Sequence, residues 1–87
     1  LNPAIKQSVL SRVGYNYQNN KNFKKAIEIL KINTLLYPTS SNTYDQLGDA
    51  YLKTKDTTNA IVNYTKALSI NPENRGSLRM LSEISEK

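Results

Sequence analysis

The chain has 87 residues, no cysteine, no histidine and a net charge of +5. The missing cysteines exclude disulfides, and the missing histidines remove both the commonest general base and the commonest metal ligand. Such a length allows one domain, near the size at which a single core is marginal without a staple or a partner.

Apolar runs are two or three residues long, as in Ala26-Ile27 and Ala60-Ile61-Val62, far short of the roughly 20 needed to span a membrane. No charged start leads into an apolar stretch, so no signal peptide is expected. Leu1 stands where an initiator Met would, which reads as a segment of a longer chain. The positive charge invites a nucleic-acid reading, but the basic residues are spread out. Where Lys21, Lys24, Lys25 and Lys31 gather, Glu28 sits among them as on an ordinary solvated helix face, so nucleic acid is not the expected partner. No cofactor or metal is implied.

In chain order, Asn2 before Pro3 is a helix start. Ile5, Val9, Leu10, Val13 and Tyr17 follow helical spacing as far as Asn19 and Asn20. A turn over 19–22 leads to a second helix lined by Phe23, Ala26, Ile27, Leu30 and the Leu35-Leu36 pair, closed by Pro38. Ser40 or Ser41 starts a third helix, with Tyr44, Leu47, Gly48, Tyr51 and Leu52 as its buried stripe. After the turn 53–56, Asp56 caps a fourth helix carrying Ala60, Ile61, Tyr64, Ala67 and Leu68, which Asn71-Pro72 ends. Leu78, Leu81 and Ile84 extend the stripe into a fifth.

These helices echo one another. Leu10, Val13, Gly14, Tyr17, Ala26, Leu30 and Pro38 recur 34 positions later as Tyr44, Leu47, Gly48, Tyr51, Ala60, Tyr64 and Pro72. A fixed period of this length means stacked helix pairs whose usual work is to hold another protein. The small residues are expected to set contact distance, with Gly14 and Gly48 leaving room for Ala26 and Ala60. Lys21 and Lys55 fall in turns that often need glycine, so positive φ is expected at both. Asn33, at the seam position held by Ala67 in the second copy, must find partners for its amide if buried.

The pattern Tyr44-x-x-Leu47-Gly48-x-x-Tyr51, Ala60-x-x-x-Tyr64, Pro72 resembles the tetratricopeptide repeat, and the first copy is a looser version of it. The resemblance implies an all-α, α-α superhelix of about five antiparallel helices in one domain over 1–87. Repeat one would span about 7–40, repeat two about 41–74, and a capping helix about 75–87, because Ser82 and Ser85 replace the Gly and Tyr of a third copy.

The resemblance also implies a non-catalytic module that takes a peptide or partner helix on the first helix of each pair. By helical phase, that groove holds Ser8, Arg12, Tyr15 and Asn19, then Asn42, Asp45, Gln46, Asp49 and Lys53, then Arg79 and Glu83. The places resembling the carboxylate clamp of one subtype hold Ser11, Tyr15, Gln46, Gly76 and Met80, which do not match it, and Asp45 and Asp49 would repel an anion. A second resemblance, over Thr43 to Leu52, is to the repeat tail behind bacterial serine hydrolases and esterases. It implies an accessory tail that docks on its own upstream catalytic domain or dimerises. No Ser-x-x-Lys, Gly-x-Ser-x-Gly or His exists here to activate a serine.

Overall fold

A computed structural model describes residues 6–86 of the chain. Its elements are α1 (Gln7–Asn19), α2 (Phe23–Leu36), α3 (Ser41–Lys53), α4 (Thr57–Ile70) and α5 (Arg75–Ser85). Among the described residues there is no strand, so the fold is the all-α stack expected. Each helix packs on the next, and α1 also touches α3. Asn2, Pro3 and Ile5, read as the opening of the first helix, lie outside the described residues.

Local chemistry sets the helix ends. Asn22, Asp56 and Asn74 each accept a hydrogen bond from the backbone amide three residues on, at 3.4, 3.2 and 3.2 Å, and so cap α2, α4 and α5. The turns before α2 and α4 are alike. The Asn22 amide donates to the Tyr17 carbonyl at 2.8 Å and the Asp56 amide to the Tyr51 carbonyl at 3.0 Å. This is the left-handed C-terminal closure that glycine usually supplies. Lysine supplies it here, with φ of 62° at Lys21 and 64° at Lys55.

The core gathers Leu30, Leu47 and Ala50, with Ile27 and Tyr51 packed against it. Ala26, Ala60, Tyr64 and Ala67 are fully buried beside it. The expectation for the glycines needs correcting. A Cβ on Gly14 would lie 2.5 Å from Leu30 Cδ2, and one on Gly48 would lie 2.7 Å from Tyr64 Cε1. The glycines thus make room for the large residues one turn beyond Ala26 and Ala60, which reach back across the pair. The apolar stripes also need trimming: Leu35 is 71% exposed and Leu78 is 48% exposed. Neighbours such as Leu35 and Leu36 cannot share one helix face, and Leu36 is the half-buried member.

Polar pairs recur at the sequence period. Gln7 Nε2 donates to Ser40 Oγ at 2.5 Å, and Asn74 Nδ2 donates to Ser41 Oγ at 2.7 Å. Positions 7 and 40 are positions 41 and 74 shifted by the repeat period. The same shift relates Asn33 Nδ2, which donates to the Gln7 carbonyl at 3.3 Å, to Ser41 Oγ, which donates to the Ala67 carbonyl at 2.8 Å. Both contacts recur with donor and acceptor exchanged. Asn33 is completely buried; its Nδ2 also donates to Ser11 Oγ at 3.2 Å, while its Oδ1 has no partner among the described residues.

Candidate functional site

The first helices of the pairs, α1 and α3, are tied by a bond from Ser11 Oγ to Gln46 Oε1 at 2.6 Å, and α3 is tied to α5 by one from Ser77 Oγ to Asp45 Oδ1 at 2.7 Å. Among the described residues, three of the clefts open beside these helices. The first, of about 560 Å³, is lined by Tyr15, Gln18 and Asn19 of α1, by Asp49, Leu52 and Lys53 of α3, and by Met80 of α5. The second, of about 510 Å³, shares Leu52 and Met80 with the first and adds Lys55, Thr57, Glu83 and Ile84. The third, of about 280 Å³, lies where Gln7, Ser8 and Ser11 face Asn42 and Gln46.

The expected groove residues therefore divide. Tyr15, Asn19, Asp49 and Lys53 come together in the first cleft, Glu83 lines the second, and Ser8, Asn42 and Gln46 line the third. Asp45 is half-buried against Ser77, and exposed Arg12 and Arg79 do not line these clefts. Gln18, Leu52, Met80 and Ile84 line them without having been expected to. A signal for Met80 was present: it is Gln46 shifted by the period and stands at one of the clamp-like places. Leu52 was hidden because an apolar residue at helical spacing reads as core.

Asp49 holds the chemistry of the first cleft. The hydroxyl of buried Tyr64 donates to its Oδ1 at 2.5 Å from the core side. Burial raises the Asp49 pKa above the ordinary aspartate value, the Tyr64 bond pulls it back, Asp45 raises it, and Lys53 and Arg79 lower it. Burial also raises Tyr15, aided by the charges of Asp49 and Asp45, and it raises Tyr64 strongly, aided by the bond to Asp49. The first cleft sets Asp49 and Lys53 beside an apolar wall of Leu52 and Met80. Among the described residues, no group of three His, Cys, Asp or Glu could hold a metal ion, and no helix is long and apolar enough to cross a membrane.

No curated protein matches the chain. The family model of the tetratricopeptide repeat matches residues 41–74, a segment that begins at Ser41 of α3 and ends at Asn74, the cap of α5. Proteins with this repeat generally mediate protein interactions and are typically non-catalytic. With that match on the second helix pair, the five helices and absence of strands among the described residues fit a tetratricopeptide repeat domain.

Proposed function

We propose that residues 1–87 form one non-catalytic domain, two repeats over about 7–40 and 41–74 with a capping helix over about 75–87, that binds a peptide or partner helix along the face shared by α1, α3 and α5. The observation that carries this reading is that the first two clefts share Leu52 and Met80, so that polar groups from three helices stand beside one apolar wall. Concave surfaces of this mixed character are where ligands are held. Short random peptides selected on the intact chain provide the test. Bound peptide should shift the methyl resonances of Leu52 and Met80 and leave those of Leu35 and Val62, exposed elsewhere on the stack, unmoved. The reverse pattern would overturn the reading.

A second reading, an accessory tail of a bacterial serine hydrolase or esterase that docks on its own catalytic domain or dimerises, draws support from the exposed apolar side chains Leu35, Val62 and Leu78. Light scattering across a concentration series separates the dimer from the monomer. A constant monomer mass counts against self-association.

A further inference from the structure

Asp49 makes the sharpest chemical demand on whatever occupies the first cleft. Its carboxylate is half-buried, and the Tyr64 hydroxyl holds it from behind. Asp45, one helical turn earlier, is likewise held by a hydroxyl, that of Ser77. Two carboxylates a turn apart are thus bonded by neutral donors. Lys53 and Arg79 act on Asp49 more weakly than its burial or the like charge of Asp45. A carboxylate removed from bulk water and bonded by a neutral group gains strongly from an incoming cationic donor, because charge-assisted bonds are the strong ones and screening there is reduced.

The walls of the cleft select among cations. A bare metal ion would need more ligands than the described residues offer. A lysine or arginine side chain suits the lining better. Its aliphatic stem matches Leu52 and Met80, and its head can meet both Asp49 and the ring of Tyr15, which is 44% exposed at the same cleft. The rest of the molecule argues the other way. The net charge of +5 draws anionic peptides at long range, and Lys53 repels a cation within the cleft. A preference for cations would therefore be a local signature of Asp49.

We propose that the partner presents a lysine or arginine side chain to Asp49, with its stem along Leu52 and Met80 and its head beside the ring of Tyr15. This rests on the groove reading above and specifies the chemistry of its occupant.

The test uses the intact chain and peptides selected on it that shift the Leu52 and Met80 methyl resonances. Each lysine or arginine of such a peptide is replaced in turn by norleucine, which keeps an aliphatic stem and loses the charge. One replacement should weaken binding about tenfold or more. On Asp49→Asn, which keeps an oxygen to accept from Tyr64, the same replacement should cost little, as coupled groups require. Groove-binding peptides that lack a basic residue, or that tolerate every norleucine, would overturn the proposal while leaving the groove reading standing. A selection that never moves the Leu52 and Met80 resonances would overturn both. The norleucine arm leaves the protein untouched, so an unfolded Asp49→Asn would not protect the proposal.

Discussion

The Tyr64 hydroxyl donates to Asp49 Oδ1, so the largest fully buried side chain among the described residues is bonded to a carboxylate of the first cleft. Removing that hydroxyl leaves the ring packed against Gly48 and takes a donor from a half-buried carboxylate. Tyr64→Phe should therefore lower stability by about 1–3 kcal/mol. Urea unfolding at neutral pH measures it, and an unchanged midpoint would show the bond to be inconsequential.

The same hydroxyl predicts an alkaline response. Tyr64 and Tyr15 are both raised above the ordinary tyrosine value, chiefly by burial. The unfolded chain therefore releases protons that the fold retains. Their stabilisation is complete below the unfolded value of about 10 and is lost as pH climbs beyond it. The melting temperature should fall above that pH, with Tyr64 alone contributing on the order of 1.4 kcal/mol per pH unit. Tyr64→Phe should flatten the decline, and a profile that it leaves unchanged would contradict this account.

Two glycines should differ in what they tolerate. A Cβ at Gly14 meets the branched end of Leu30, whereas a Cβ at Gly48 meets a ring whose hydroxyl is held by Asp49. A leucine can change rotamer more readily than a bonded tyrosine can move. Overpacking costs about 1–3 kcal/mol, against roughly 1 kcal/mol gained in helix propensity on replacing glycine by alanine. Gly48→Ala should therefore destabilise more than Gly14→Ala in parallel urea titrations.

Lys21 and Lys55 hold left-handed backbone with a side chain that disfavours it. Lys21→Gly and Lys55→Gly should each raise stability by about 0.5–1 kcal/mol, the steric relief outweighing glycine's greater freedom in the unfolded chain. Thermal melts of the single and double variants check both size and additivity.

Asn33 combines two donated bonds, of 3.3 and 3.2 Å, with a buried oxygen that has no partner among the described residues. The gain and the penalty are comparable, and Ala67 already fills the same position of the second repeat. Asn33→Ala should change stability by no more than about 1 kcal/mol. A clear drop in melting temperature would overturn that expectation.

The helices and their order were legible because Gly14, Tyr17, Ala26 and Pro38 return unchanged at Gly48, Tyr51, Ala60 and Pro72, and steric roles that admit few residue types leave such marks. The lysines at positive φ were legible for the same reason. The polar pairs were not. Gln7 with Ser40 and Ser41 with Asn74 keep a contact while changing both residues and the direction of donation, so no identity survives to be seen. The apolar half of the groove was missed through an ambiguity of helical spacing, since Leu52 at a cleft lies one turn beyond buried Gly48 and so reads as part of the same stripe.

On the repeat bounds proposed above, the pairing of position 7 with 40 and of 41 with 74 joins the first residue of each repeat to its last. Each copy thus carries both halves of its own clasp and borrows neither from its neighbour. An array built this way can lengthen by whole copies, because an inserted unit arrives already able to fix where it starts and stops. The residues of that clasp are free to drift in type between copies, provided that one end donates and the other accepts.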